Sequence, residues 1–178
     1  MKKLVLLLSL AGLGACSSDS APAESANAAD VFTTNDFESG GGWNTDPSYF
    51  DKGRAHSGQY AIKVDKDHEF SLTYDVALGK ISSHKFKGIH LDAWVFMPSE
   101  KGTAHLGIQI MTPDNQQVFG SGLILRDAVK TYGKWVHVTK DFTLPDNITS
   151  NQHLRFFVWR ADATDEVLVD DVKLSTID

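Results

Sequence analysis

The stretch GIHLDAWVFM, residues 88 to 97, decides the fold class. Successive side chains of a β-strand point to opposite faces, so one face of this stretch is aliphatic and the other is mixed. The same alternation recurs along the chain, with Gly-, Pro-, Asp- and Asn-rich turn signals between the segments. Many short strands at regular spacing predict an antiparallel β-sandwich or barrel. The predicted strands cover residues 60–64, 70–76, 88–97, 104–111, 118–125, 135–142, 153–159 and 167–174.

The N-terminus has the pattern of an export signal. Lys2 and Lys3 precede an apolar segment, residues 4–13, that is too short to span a bilayer as a helix. The segment ends in LGAC, which resembles the bacterial lipobox, and Cys16 is the only cysteine. The resemblance implies a signal peptide over residues 1–15 and lipidation of Cys16, which would be the protein's only contact with a membrane. The alternative is an ordinary secretory signal with an incidental cysteine.

The residues after Cys16 divide the chain into a linker and one domain. Residues 16–30 are small and polar, so we expect a flexible tether. Residues 31–178 suit a single domain. Ser17, directly after the cysteine, favours the outer membrane or cell surface within the cell envelope. The net charge of −6 and the lack of a basic stripe argue against nucleic acid as a partner.

The C-terminal segment VLVDDVKL, residues 167 to 174, raises a question of charge burial. Asp170 and Asp171 point to opposite faces of a regular strand, so one carboxylate lies on whichever face is buried. Asp170 shares its parity with Val172 and Leu174, which predicts that it points inward. A buried carboxylate is costly unless it is paired, hydrogen-bonded or bound to a metal.

Three segments together resemble one family. They are NDFESGGGW at 35–43, AHSGQYAIKVD at 55–65 and VLVDDVKL at the C-terminus. In this order they resemble the jelly-roll, galactose-binding-like carbohydrate-binding modules that are appended to polysaccharide hydrolases. The resemblance spans nearly all of residues 31–178. It implies an all-β fold, an antiparallel β-sandwich of the jelly-roll type, and a polysaccharide or glycan as partner.

The resemblance also implies a structural calcium ion (Ca²⁺). Carried over to this sequence, Glu38 and Asp170 are side-chain ligands, and the turn around Ser57 supplies backbone carbonyls. Calcium binds six to eight oxygen ligands and mixes carboxylates with carbonyls. In the alternative, Asp170 accepts backbone N–H groups or pairs with Arg54 or Lys52.

A ligand-binding surface is predicted from strand parity. Sugar recognition uses flat aromatic surfaces together with planar polar groups. If the strands at 88–97, 104–111 and 153–159 share a sheet, one outer face gathers both kinds of side chain. The predicted ligand-binding residues are Trp94, Trp159, Asp92, Gln109, Arg155 and His105.

Other placements of the aromatic residues stay open. A bulge would reverse the parity, and Trp94 could then belong to a second core. The loop from Gly40 to Phe50 is a second candidate site, although Trp43 at the corresponding family position often packs the fold. Trp135 is predicted to be structural and to pack the sandwich.

The sequence indicates a binding protein rather than an enzyme. It has no nucleophile elbow, metalloprotease, P-loop or dinucleotide-binding motif, and no compact acidic pair of a glycosidase is visible. We therefore predict non-catalytic glycan binding at the cell envelope. The alternative is a structural or adhesion lipoprotein that binds another envelope protein. A third possibility is a small glycan-active lyase or hydrolase.

Overall fold

The computed structural model describes residues 30–39, 43 and 46–178. The predicted signal peptide, Cys16 and nearly all of the predicted tether lie outside these residues. The described part contains ten strands in two antiparallel sheets and three short helical turns. The strands are β1 (Val31–Asn35), β2 (Phe50–Lys52), β3 (Tyr60–Val64), β4 (Tyr74–Ala77), β5 (Gly88–Phe96), β6 (His105–Met111), β7 (Gln117–Ile124), β8 (Trp135–Thr143), β9 (His153–Trp159) and β10 (Val167–Ile177).

The two sheets have different strand orders. Sheet A runs β2-β3-β10-β5-β8, and β1 also pairs with β10. Sheet B runs β4-β9-β6-β7. Helical turns connect strands of different sheets at α1 (Leu78–Ile81) and α2 (Leu125–Ala128), and a 3₁₀ turn spans Pro47–Tyr49. Within the described residues no helix is long and apolar enough to cross a membrane.

The core lies between the sheets and is built by the predicted alternation. On β5 the residues Ile89, Leu91, Ala93 and Val95 are fully buried, as predicted. On β6 and β9 the inward rows are Leu106, Ile108, Ile110 and Leu154, Phe156, Val158. The fold is the predicted all-β, antiparallel sandwich.

Two segments depart from the predicted alternation. The predicted strand at 70–76 is a strand only from Tyr74, and Phe70 makes an isolated bridge to Trp159. Phe70 is 47% exposed, whereas Leu72 is buried, so the two side chains do not share a face as they would in a regular strand over 70–76. Trp135 does not pack between the sheets: it pairs in register with Phe96 on the outer side of sheet A and is half-buried there.

A bulge in β10 reverses the predicted orientation of Asp170. Asp171 has a φ of 48°, and the register with β5 shifts between Asp170 and Lys173. Before the bulge Val169 pairs with Val95 inside the sandwich, whereas Asp170 pairs with Trp94 on the outer side. After the bulge Leu174 pairs with Leu91, so both halves of β10 present aliphatic side chains to the core. The prediction that Asp170 points inward with Val172 and Leu174 is therefore wrong, because one extra residue changes the parity.

Candidate functional site

The six predicted ligand-binding residues do not form one surface. Trp94 and Asp92 lie on β5 and face outward from sheet A. The other four lie on β6 and β9 of sheet B, where His105 pairs with Trp159 and Gln109 with Arg155. The prediction of a single shared face is wrong because β5 pairs with β10 and β8 rather than with β6 or β9. Their binding roles stay predictions, and each sheet is considered separately below.

Aromatic side chains cover one end of the outer face of sheet B. Phe70 is stacked on Trp159, with ring centroids 6.2 Å apart and planes at 11°. The Phe157 ring meets Phe70 edge-on at 5.8 Å, and His105 meets Trp159 at 5.2 Å. These rings make one group, hereafter the aromatic cluster, and Phe70 presents nearly half of its surface to solvent. Exposed aromatic groups of this kind usually mark a binding site.

Two glycines lie in the middle of this face, and one of them allows an aromatic ring to approach the backbone. The Phe157 ring lies across Gly107, where a Cβ atom would come within 2.7 Å of Cε2 and 2.8 Å of Cζ. Gly107 pairs with Gly122 on β7, so two neighbouring positions of the sheet carry no side chain. The missing side chain at Gly107 gives the Phe157 ring room to lie against the sheet.

Polar side chains occupy the other end of the face and hold one another in place. Asp75 accepts hydrogen bonds from Arg155 Nε at 2.7 Å, and its Oδ1 lies 2.6 Å from His153 Nδ1. Arg155 also donates to Asn115 Oδ1 at 2.8 Å. Burial raises the pKa of Asp75, but the hydrogen bonds from Arg155 and His153 outweigh it and leave that pKa below its usual value. Asp75 is therefore ionised near neutral pH and fixes the Arg155 guanidinium.

A groove joins the two ends. Its volume is about 470 Å³, and it is lined by Phe70, Thr73, Asp75, Gln109, Arg155 and Phe157. Gln109 donates to Gln117 at 2.9 Å and adds an amide to the polar end. Of these lining residues only Asp75 carries a carboxylate, whereas a typical glycosidase uses two facing carboxyl groups. The groove thus offers aromatic surface and planar polar groups, which suits binding.

On sheet A, by contrast, Trp94 is covered by other side chains. The His56 ring is stacked on it at 3.8 Å and 12°, and the His137 ring lies 5.2 Å away. His56 Nδ1 is 2.6 Å from Asp171 Oδ2. His137 Nε2 is 3.0 Å from Asp92 Oδ1. Both histidines are engaged within the protein, and His56 occupies one face of the indole. Trp94 and Asp92 also line a separate cavity of about 530 Å³ on this side of sheet A, but the described residues that line that cavity include no exposed aromatic group like Phe70 on sheet B.

The buried carboxylate of Asp170 is compensated by backbone amides. The turn at residues 54–58 covers it, and its Oδ2 accepts the N–H groups of His56 at 2.7 Å and Ser57 at 3.1 Å. Its Oδ1 accepts the N–H of Asp171 at 2.7 Å. Burial raises the pKa of Asp170 to about 6, although these amide hydrogen bonds act in the opposite direction. Of the alternatives drawn from the sequence, acceptance of backbone N–H groups is the one seen, and Arg54 pairs with Glu166 and Asp51 instead.

The three predicted calcium ligands lie around this turn, and the carboxylates of Glu38 and Asp170 accept backbone N–H groups. Glu38 Oε1 accepts the N–H groups of Gln59 and Tyr60 at 2.6 and 2.7 Å. The Ser57 hydroxyl donates to Asp171 at 2.7 Å. A carboxylate has about four acceptor sites, so Asp170 keeps about one for a cation, and Glu38 keeps its second oxygen. No group of three or more His, Cys, Asp or Glu side chains in the described residues is arranged to hold a metal.

Four residues of the groove, Phe70, Thr73, Asp75 and Phe157, were not among the predicted ligand-binding residues. Phe157 shares the outward parity of Arg155 and Trp159, and that parity alone would have identified it. Asp75 alternates with Tyr74 and Val76 on a short edge strand, where one carboxylate has no distinctive signal. Alternation along the predicted strand at 70–76 gave no guide to Phe70, because the strand begins only at Tyr74.

The loop that was the second candidate site is only partly described. Trp43 is buried, and its ring packs against Phe37, Tyr74 and Phe156 at 5.4 to 5.6 Å. Trp43 is thus a packing residue, as the family pattern suggested. The rest of that loop's Gly-rich half, residues 40–42 and 44–45, lies outside the described residues.

Comparison with known proteins identifies similar folds only among solved structures. No family model matches the sequence, and no curated protein matches it. The C-terminal family 22 carbohydrate-binding module of Clostridium thermocellum Xyn10B is similar over 82% of this chain and 92% of its own, at 13% identity and a TM-score of 0.54. The CBM22-1 xylan-binding domain of Paenibacillus barcinonensis Xyn10C is similar over 84% and 96%, at 15% identity and a TM-score of 0.52. The CBM22-2 xylan-binding domain of the same protein covers 81% and 98%, at 16% identity and a TM-score of 0.52. At these identities the likeness is one of fold, and the chain has the β-sandwich jelly roll of these carbohydrate-binding modules.

Proposed function

We propose that this protein binds a glycan without modifying it, through the groove on the outer face of sheet B. The observation that carries the proposal is the combination in one groove of an exposed aromatic cluster and a fixed set of polar side chains. Two of the structural neighbours are named as xylan-binding domains, which supports a polysaccharide as the class of ligand. The single carboxylate among the groove residues supports binding over hydrolysis.

Each end of the groove has its own part in binding. Phe70 and Phe157 offer flat apolar surface to the C–H faces of sugar rings. Arg155 and Gln109 offer hydrogen-bond donors to hydroxyl groups. Because Asp75 and Asn115 already hold Arg155, little side-chain freedom is lost when the ligand binds.

The test is affinity electrophoresis of the protein in native gels that contain xylan, β-glucan, mannan, pectin or alginate. We expect at least one polysaccharide to retard the protein, and Phe70→Ala to abolish most of the retardation. Trp94→Ala, on sheet A, is the matched control and should migrate like the unchanged protein. If no polysaccharide retards a folded protein, glycan binding is wrong, and a protein partner at the envelope becomes the next hypothesis.

We also propose that Cys16 is lipidated and anchors the domain to the cell envelope through the residues that precede Val31. The support is the lipobox-like segment LGAC and the absence of any other cysteine in the sequence. Growth with a labelled fatty acid should label the protein, and Cys16→Ala should abolish the label. If the protein is secreted without the label although Cys16 is intact, residues 1–15 act as an ordinary secretory signal and the lipid anchor is wrong.

A calcium ion near Glu38 and Asp170 is a further proposal, supported by the family resemblance. Since amides already compensate Asp170, we expect calcium to add stability rather than to be required for folding. At a calcium concentration about 100-fold above Kd, the melting temperature should rise by about 5 °C over that in EDTA. Glu38→Gln should lose this response, while Glu100→Gln, a remote control, should keep it. An identical melting temperature in EDTA and in calcium would mean that no calcium binds here and that hydrogen bonds alone stabilise the turn at 54–58.

A further inference from the structure

A second cavity lies just beyond the aromatic end of sheet B. Its volume is about 590 Å³, and three cationic side chains line it: Lys101, Arg126 and Lys130. Tyr132 also lines it and is 39% exposed. We call this cavity the basic pocket, because cations outnumber its two carboxylates, Glu100 and Asp162, on a chain whose net charge is −6.

The basic pocket lies at the end of sheet B where His105 and Trp159 pair. Arg126 follows β7 by two residues, and β7 ends with Ile124 paired to His105. Thr103 precedes β6 by two residues and donates to Asp162 at 2.6 Å, and Asp162 follows the end of β9 at Trp159 by three. The hydrogen bond from Thr103 lowers the pKa of Asp162, and the proximity of Arg126 and His105 lowers it further. His105 touches Trp159, so the pocket adjoins the aromatic cluster.

The cations of the pocket are available to an outside anion. Neither the Lys101 ammonium nor the Arg126 guanidinium makes a hydrogen bond within the described part of the chain, and Lys130 donates only to the Arg126 carbonyl at 2.8 Å. Asp162 is engaged by Thr103. A guanidinium that is not already paired is well suited to a carboxylate, which it can bind through two parallel hydrogen bonds.

We infer that the basic pocket binds the carboxylate of a uronic acid unit in the same glycan chain whose neighbouring units lie in the groove. Arg126 and Lys101 bind the carboxylate, and the exposed Tyr132 ring offers a surface for the sugar face. This inference rests on the proposed function and names its ligand class, an acidic polysaccharide.

The experiment compares an acidic and a neutral polymer in native gels. The probes are polygalacturonate and whichever neutral polysaccharide retards the protein. The variant is Lys101→Gln with Arg126→Gln, and the control is Lys87→Gln with Lys140→Gln, which removes the same charge from other exposed positions. We expect the first pair to weaken binding to polygalacturonate about tenfold and to leave neutral binding unchanged. Raising the salt from 50 to 500 mM should weaken only acidic binding.

The outcomes separate this inference from the proposed function. A Lys101/Arg126 variant that binds polygalacturonate as tightly as the control pair would overturn the uronate pocket. So would a protein that binds a neutral polymer and no acidic one. A protein that binds neither kind of polymer overturns glycan binding itself. Equal losses of binding in the Lys101/Arg126 variant and the Lys87/Lys140 control would assign the effect to net charge and likewise overturn the pocket.

Discussion

The outer faces of the two sheets carry similar residues and use them differently. On sheet A, Trp94 lies under the His56 ring, and its histidine neighbours are paired with Asp171 and Asp92. On sheet B, the aromatic cluster has an exposed member, Phe70, beside a groove. Both faces combine aromatic, histidine and acidic side chains, so composition alone does not distinguish them. What distinguishes them is the exposure of the ring, because Phe70 is 47% exposed whereas Trp94 is partly buried beneath His56.

The difference reflects what each face has to stabilise. The sheet A face lies where the turn at 54–58 covers the bulge of β10, and its rings and hydrogen bonds fasten that turn to the sheet. On sheet B, the groove lies between the strands and Phe70 and Thr73 of the segment before β4, and Gly107 gives the Phe157 ring room beside it. We therefore expect changes on sheet A to affect stability and changes on sheet B to affect binding.

The largest expected effect concerns the carboxylates of the two faces. Asp170→Ala leaves three amide N–H groups without acceptors inside the protein, which should lower the free energy of unfolding by about 3 to 5 kcal/mol. Asp75→Ala removes a half-exposed carboxylate whose partners can turn to water, so the loss should be about 1 kcal/mol or less. Urea denaturation of both variants gives the comparison. Similar losses would mean that the two faces are equally structural.

The second-largest expected effect is the change with pH in the contribution of Asp170 to the free energy of unfolding. Burial raises its pKa from 3.8 to about 6, so the folded state holds this proton more tightly than the unfolded state. The contribution of Asp170 is therefore highest below pH 4 and is lost as the pH rises toward 6. A pKa difference of about two corresponds to about 3 kcal/mol. Asp170→Asn does not titrate, and subtracting its unfolding free energy removes the opposite trends of carboxylates such as Asp65, whose pKa is about 2.

The result with Asp170 also bears on the calcium proposal. A bound cation favours the ionised carboxylate and would lower its pKa, so the stability difference between the unchanged protein and Asp170→Asn should then rise with pH. The same urea titrations in EDTA and in calcium distinguish the two cases. A difference that is flat from pH 4 to 7 in EDTA would contradict the burial account.

The sequence predicted the layers of this fold better than its surfaces. The inward rows of β5, β6 and β9 followed from alternation, because burial imposes a period of two on each strand separately. Which strands lie side by side depends on contacts between distant segments, and parity carries no such information. Trp94 and Trp159 were therefore placed on one surface although their strands belong to different sheets.

The bulge in β10 illustrates the same limit at a single residue. Burial of one carboxylate in VLVDDVKL was a sound prediction, since Asp170 is fully buried. Its direction was wrong because Asp171 adopts a positive φ that no residue pattern near it required. The compensating amides belong to His56 and Ser57, more than 110 residues earlier in the chain, and the sequence gives only their motif, not their orientation.

The aromatic side chains should show opposite effects on the two faces. Trp94→Ala removes the ring on which His56 stacks and should cost about 2 kcal/mol of stability while leaving binding unchanged. Phe70→Ala removes an exposed ring and should cost about 0.5 kcal/mol or less. Its polysaccharide binding should fall at least tenfold in the same gels. Loss of binding in Trp94→Ala without loss of stability would show that the binding site lies on sheet A.

The smallest effect on binding is expected for Gly107→Ala, beneath the Phe157 ring that lines the groove. The new Cβ would meet the Phe157 ring at 2.7 to 2.8 Å, and the ring can turn aside because it ends a flexible side chain at the surface. We expect a loss of less than about 1 kcal/mol in stability and a several-fold loss of binding, because the ring leaves its place in the lining of the groove. The control is the double-mutant cycle with Phe157→Ala: in that background Gly107→Ala meets no ring and should have no further effect on binding. Additive losses would show that the methyl group blocks the groove directly and does not act by displacing the Phe157 ring.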